Sequence, residues 1–492
     1  MLHAWADVGW TRVSHVCSRW RHVALGFPSL WSDIPLHYPD WAQAMLMRSK
    51  MASLNVIFGC GPYNPPSASA AKAAAVKAAV LKLSHIKNLE LSPGRIPIAD
   101  YLEIIKLLDA PAPFLQTANL AVEPTLNVSL PRNLFAGASP YLTVLILSGW
   151  GFDVRLPIVA NLRTLKLCNV PTDGKIPVDQ FISALSTMTR LETLHVIDSL
   201  GRPQGVIVNS PPPAQQAQLP QLTELSIDAT LSTCIFLLDR IVSPSSTRLS
   251  AKYTNDLAGV DSDISVVRSL AEKLRPRVSG PIRSMKLLPD RIKVWGSLHA
   301  PSDLDSEDPP PDLEISLPDL QSEFEPSVRC FIHLLTLTHL ETVYLGGDFT
   351  MWLFETYFGN LSHLTTVVAG QTAYDIISAL AIGLPRMGSA AGAQRANLKF
   401  LALKSLTLEQ WDFEHMPMED GTAGVTAVVL LACLKGRKKI GAPLPKLIID
   451  YCRHVDEARY VDPLRAVVGE VEWDEETNYT TESYSGSEDE ED

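Results

Sequence analysis

The sequence predicts an α/β fold: a curved solenoid in which short parallel strands alternate with helices that return the chain to the next strand. Three observations predict it. One apolar spacing recurs along the 492 residues, helical periodicity reappears between the copies, and a hydrophobic content of 46% supplies core for a long array.

At the amino end, residues 10 to 34 place Trp10, Val13, Val16, Cys17, Trp20, Val23 and Ala24 at three- and four-residue steps. That spacing predicts one amphipathic helix. Pro28 ends it, and Leu30 and Trp31 are expected to fold back over its apolar stripe.

Beyond residue 50 a pattern sets in: apolar, two others, apolar, one other, apolar. It is clearest at Leu142/Leu145/Leu147, Leu162/Leu165/Leu167, Leu191/Leu194/Val196, Leu222/Leu225/Ile227, Leu340/Val343/Leu345 and Leu398/Leu401/Leu403. Weaker copies stand at Ile86/Leu89/Leu91, Leu115/Ala118/Leu120, Leu364/Val367/Ala369 and Leu444/Leu447/Ile449. The last two apolar positions, two apart, share one face of a strand. This is the L-x-x-L-x-L core of a leucine-rich repeat. From residue 86 to 222, successive copies begin 20 to 31 residues apart, and the Asn or Cys that regular repeats place after the core is missing except at Cys168-Asn169, so an irregular curve is expected. Alternating strands and helices also describe a doubly wound sheet, but its strands have no reason to share one spacing.

Return helices are predicted over 70–83, 178–188, 264–274, 328–337, 374–382 and 425–434, the second led by Pro177 with Phe181, Ile182, Leu185 and Met188 at helical spacing. Outward strand positions, which would line the concave face where partners dock, include Lys166, His195, Ser226, Tyr344, Val368 and Ala402. Their mixed chemistry suits an unidentified protein or peptide target. Three loops interrupt the array: 201–220 with Pro211-Pro-Pro, the acidic 302–326 with Pro309-Pro-Pro, and the small-residue stretch 384–396. Residues 251–294 show a helix but no clean core, which leaves one or two degenerate repeats open there. From Trp473 onward the chain reads as a disordered acidic tail, in which Ser485 and Ser487 each have a glutamate three positions on. The expected organisation is thus 1–50 a helical segment, 51–472 the repeats and 473–492 the tail.

The formal charge of −12 argues against nucleic-acid binding, which needs a basic face. The basic run Lys435-Gly-Arg437-Lys438-Lys439 ends a predicted helix, where cations complement unpaired carbonyls. Seven scattered cysteines without a C-x-x-C pair read as reduced thiols. No secretory signal is visible, and the apolar run 423–434 is too short to span a bilayer, so a cytoplasmic or nuclear protein is expected without membrane contact. No metal-ligand spacing, phosphate-binding glycine loop or nucleophile elbow occurs, and the reading is of a non-enzyme without cofactor or metal. His195, inside a repeat core, reads as a binding-face residue rather than a catalyst.

The string Val16-Cys17-Ser18-Arg19-Trp20-Arg21, followed by Ala24 and Pro28-Ser29-Leu30-Trp31, resembles the second half of F-box-like domains, especially the large fungal set in which the box precedes variable leucine-rich repeats. The stretch from Leu444 to Cys452, closing at Val471-Glu-Trp473-Asp, is similar to the last repeat of such proteins. The resemblance implies a substrate receptor: the box holds the small adaptor of a cullin-RING ubiquitin ligase and the repeats hold the target. Trp10, Val13, Val16, Trp20, Pro28, Leu30 and Trp31 would then contact the adaptor. The same residues read equally as the hydrophobic cap of the first repeat. The family's box opens with a Leu-Pro-x-Glu-like segment and a first helix, whereas only nine residues precede Trp10. Either the chain is truncated or the box has decayed, and a repeat scaffold without ligase coupling stays open beside the receptor reading.

Overall fold

The computed structural model describes residues 8–59, 69–94, 96–203, 216–254, 260–274, 280–299, 308–316, 324–346, 353–370, 375–384, 398–414, 416–417, 423–424 and 426–475. The chain divides into two compact units, one of residues 1–247 with 253–258, the other of 248–252 with 259–492.

In the first unit eight strands pair in parallel and in chain order: Asp33–Pro35, Leu54–Phe58, Ile86–Leu91, Thr117–Ala121, Val144–Ser148, Thr164–Cys168, Thr193–Ile197 and Glu224–Thr230. The apolar repeat sets their register. Leu145, Leu165, Leu194 and Leu225 stand side by side, as do Leu147, Leu167, Val196 and Ile227, and all are buried. Alternation leaves the residues between them on the opposite, half-buried face. Return helices Pro39–Arg48, Ser69–Val80, Ile98–Lys106, Val178–Leu185 and Leu231–Arg240 connect strands; the repeats without one use short 3-10 turns such as Pro157–Asn161. Pro39 and Pro97 mark two of the helix starts, and the Thr230 hydroxyl accepts from the Thr233 amide at a third.

Two residues beyond the second inward position the backbone is left-handed at Gly149, Asn169 and Asp198 in the first unit, and at Gln410, Tyr451 and Glu475 in the second. These six positions share the conformation while the residue type varies, and the equivalent Val122 and Ala229 do without it. Gly149 is the constrained case: a Cβ there would lie 2.0 Å from the Val122 carbonyl oxygen.

The second unit departs from plain parallel order. Strand Arg248–Thr254 pairs in parallel with Leu313–Ser316, which runs antiparallel to Arg291–Trp295; that strand is antiparallel to Ser284–Leu288. From Ser284–Leu288 the parallel series resumes through Thr342–Leu345, Thr366–Ala369, Ser405–Glu409, Lys446–Asp450 and Glu470–Trp473. Helices Val260–Leu274, Phe324–Leu334, Asp375–Ala381 and Thr426–Lys439 belong to this unit.

Several expectations need correction. The copy expected at Leu398/Leu401/Leu403 is displaced by five residues: Leu406 and Leu408 pair with Leu447 and Ile449, while Leu401 is 50% exposed. Ala402 therefore lies in a turn, not on a strand. For residues 251–294 the degenerate-repeat alternative fits one core, Ile282/Met285/Leu287, in register with Leu340/Val343/Leu345. Trp31/Ile34/Leu36 form another, all three buried, at the first strand. The acidic stretch 302–326 holds a paired strand, Leu313–Ser316, and the first turn of a helix, while 302–307 and 317–323 lie outside the described residues. In 201–220, Ala217–Gln218 pairs with Ile241–Val242, and 204–215 is outside the description, as are 385–396 of the third loop and the tail from 476, including Ser485 and Ser487. The basic run ends its helix as expected. Arg437 is buried and donates to the carbonyls of Leu380, Lys399 and Phe400, and Lys438 donates to that of Ala466.

Candidate protein-binding surfaces

The amino-terminal segment folds as two pieces. A 3-10 helix, Val8–His15, is followed by extended backbone at Cys17 (φ −157°, ψ 171°) and then by the helix Ser18–Gly26. The single helix expected from Trp10 to Ala24 is therefore broken, and its stripe is divided. Arg21 ties the pieces by donating from Nε to the Ser14 carbonyl. Trp31 is buried; its indole donates to the Ala24 carbonyl at 2.8 Å, and the Arg48 guanidinium lies 4.4 Å from its ring centre. Pro28 opens the short 3-10 turn Pro28–Trp31.

Of the helix Ser18–Gly26 only Ala24 is buried. Trp20 is 55% exposed, and Val16, Val23, Phe27 and Leu30 are exposed with it. Trp10 and Val13 lie on the 3-10 helix, but their side chains are outside the described residues. Segment 8–32 contains three arginines and two histidines and no acidic residue. The result is an apolar surface with a cationic rim. A nine-residue helix is marginal on its own, because helices in proteins draw most of their stability from a packed apolar face.

On the outward face of the first unit, strand register aligns Glu90, Asn119, Ile146, Lys166, His195 and Ser226 in one row, all half-buried. Of the six outward residues singled out by the sequence, Lys166, His195 and Ser226 are thus immediate neighbours. On the first three strands the Asn88 amide donates to the Asn55 side chain at 2.7 Å, and the Asn55 amide donates to Asp33. His195 Nε2 lies 2.9 Å from Glu224 Oε1. Burial, helped by the neighbouring Lys166 charge, holds the His195 imidazole below its ordinary pKa against the opposing pull of Glu224. A neutral imidazole and a carboxylate beside an ammonium offer donors and acceptors.

Tyr344 behaves differently. It occupies the same outward row in the second unit, between Lys286 and Val368, yet it is only 2% exposed. The expectation of an open residue is corrected by a covering layer from the chain itself. Lys286 Nζ lies 4.9 Å from the Tyr344 ring centre and 2.8 Å from Asp308 Oδ2, with both the Lys286 and Asp308 side chains nearly fully buried. Lys293 Nζ and His299 Nε2 approach the same carboxylate at 3.9 and 3.5 Å. Burial pushes the Asp308 carboxyl up, but Lys286, His299 and Lys293 outweigh it and hold it below the usual carboxylate range. Sequence reasoning missed this cluster, whose members come from two strands and a loop.

Among the described residues no group of three or more His, Cys, Asp or Glu side chains is placed to hold a metal, six cysteines are free thiols, and no helix is long and apolar enough to cross a membrane. A cleft lined by Ser129, Arg132, Asp153, Arg155, Lys175 and Gln180 lies at the turns of the first unit. Two of its cations are engaged locally, Arg155 by Asp153 and Lys175 by Asp198. A scan of protein-family models and a search of curated proteins each find no match to the sequence.

Proposed function

We propose that the chain is a target-recognition subunit of a cullin-RING ubiquitin ligase, with an F-box-like amino end that docks the ligase adaptor and an irregular leucine-rich-repeat solenoid that holds the target protein. The observation that carries the adaptor half is the exposed pair Trp20 and Val23 on a helix that buries only one of its own residues, with Val16 before it and Phe27 and Leu30 after it exposed as well. A cap would bury them. Covering side chains of this size contributes about 1.5–3 kcal/mol each, which suits a docking surface. Supporting the repeat half is the chain-order parallel pairing, with leucine-rich cores in register over strand after strand. The outward row Lys166, His195 and Ser226 is the surface assigned to the target.

Co-expression with the adaptor tests the reading. The chain should co-purify with adaptor and cullin, and Trp20→Ala with Phe27→Ala should abolish this while the chain stays folded. Retained target binding without any adaptor contact would replace the receptor with a repeat scaffold lacking ligase coupling.

A further inference from the structure

We infer that a trough in the first unit, running from the turns around Arg132 and Lys175 along helix Val178–Leu185, binds a short peptide segment of a partner that carries acidic residues at one end and apolar side chains at the other. The trough shares no residue with the amino-terminal group or with the outward row, so adaptor docking and target binding there can each fail without touching it.

Its origin is repeat length. The copies beginning at Leu142 and Leu162 stand 20 residues apart, the shortest step among the copies from 86 to 222. So short a repeat returns through the 3-10 turn Pro157–Asn161 instead of a helix. The repeat before it also returns through 3-10 turns, Pro124–Leu126 and Leu134–Gly137. Helix Val178–Leu185 packs against Leu231–Arg240 of the following repeat, while neither of the two repeats before it supplies a helix. Two hollows lie where those helices would be. One, of about 530 Å³, is lined by Ser129, Arg132, Asp153, Arg155, Lys175 and Gln180. The other, of about 400 Å³, is lined by Val154, Pro157, Val159, Ala160 and Ala184. Val154, Arg155 and Gln180 border both, which makes them one continuous trough. Each half falls in the size range of ligand sites, about 300–1,000 Å³.

The chemistry changes along the trough. At the polar end Val128–Ser129 pairs in parallel with Trp150–Gly151. A Cβ on Gly151 would lie 2.5 Å from Ser129 Oγ, and one on Gly174 would lie 3.2 Å from the Gly151 Cα, so successive turns stack too closely for side chains at these two glycines. A ligand backbone can approach where they leave the lining bare. Three cations and one carboxylate line this end. Arg155 is held by Asp153 through two hydrogen bonds, and Lys175 by Asp198. Arg132 is exposed and has neither an ion pair nor a side-chain hydrogen bond among the described residues, so its charge is left for a ligand. With Asp198 counted, the excess is still positive, in a chain of formal charge −12. An acidic segment complements it. Past Arg155 the other end has no charged lining, and Val154, Val159 and Ala184 form its buried base with Ala160 exposed beside them. The eight residues of the helix cover about 12 Å, the span of about four extended residues. That distance separates the acidic from the apolar end of the ligand.

The probe is the acetylated, amidated peptide Asp-Asp-Ala-Ala-Leu-Leu, titrated into the full chain by calorimetry, with hydrogen exchange reading which amides it protects. Binding with protection over residues 151–156 and 178–187 is expected. Arg132→Glu alters an exposed residue without a partner; it should weaken binding at least about ten-fold and make the analogue Lys-Lys-Ala-Ala-Leu-Leu the better ligand. Ala160→Trp, which fills the apolar end, should weaken the acidic peptide by a similar factor, as should replacing its two leucines by serines. No binding by wild type at millimolar peptide overturns the inference, and so does a folded Arg132→Glu that binds the acidic peptide as well as wild type does. Should Ala160→Trp disturb the fold, the serine analogue decides for the apolar end: equal affinity would reduce the trough to an anion site and overturn the assignment to such a peptide. Protection appearing on strands Thr164–Cys168 and Thr193–Ile197 instead would be equally fatal.

Discussion

Leu401 and Leu406 lie five residues apart, and the apolar pattern alone would let either be the central residue of a repeat core. The structure separates them. Leu406 is fully buried beside Val367 and Leu447, whereas Leu401 stands half exposed in a turn. Leu406→Ala removes a side chain from a site that cannot readily collapse, so it should cost about 2–5 kcal/mol. Leu401→Ala loses only partly shielded surface and should stay within about 1 kcal/mol. Urea unfolding followed by circular dichroism reads the difference, provided that m is unchanged and the second unit's transition is resolved. Hydrogen exchange over 405–409 localises the effect. Equal losses, or a larger loss at Leu401, would refute the register and with it the position of every outward residue on that strand.

Three further outcomes are expected. Gly149→Ala should destabilise the first unit by at least about 2 kcal/mol, measured by thermal unfolding, because the added Cβ meets the Val122 carbonyl in left-handed backbone. Arg437→Ala should cost about 3 kcal/mol or more and leave the carbonyls of Leu380, Lys399 and Phe400 unpaired, and lysine, without a forked guanidinium, should rescue little of it. His195 is held below its ordinary pKa, so the folded state takes up its proton later than the unfolded chain on acidification. The stability it contributes is present above the unfolded pKa and is lost as pH falls through the folded one; His195→Gln should flatten that part of the first unit's stability profile below about pH 6.5.

Much of the repeat order was legible in the sequence, because a three-residue apolar signature recurs wherever a buried strand enters the core. Nine of the ten copies named from the pattern coincide with paired strands. The tenth failed because Leu398/Leu401/Leu403 and Leu403/Leu406/Leu408 share a leucine; only the left-handed backbone at Phe400, which turns Leu401 outward, decides between them. Trp31/Ile34/Leu36 was readable as a core but was absorbed into the amino-terminal motif. The antiparallel hairpin at Ser284–Trp295 leaves no trace in a pattern tuned to parallel strands, since its inward residues also alternate.

The surfaces were less legible than the core. Outward positions follow from strand periodicity, so Lys166, His195 and Ser226 could be named together. Tyr344 could not be judged from its own strand, because its burial comes from packing with Leu288 and Val368 on neighbouring strands. The break at Cys17 is equally hidden, as three- and four-residue spacing continues straight through it.

The most direct test of the receptor account is hydrogen exchange of the full chain with and without purified ligase adaptor. Protection confined to residues 14–31, and lost in Trp20→Ala with Phe27→Ala, is the result the account predicts. Adaptor binding that leaves those residues unprotected, or protects the row through Lys166, His195 and Ser226 instead, would contradict it.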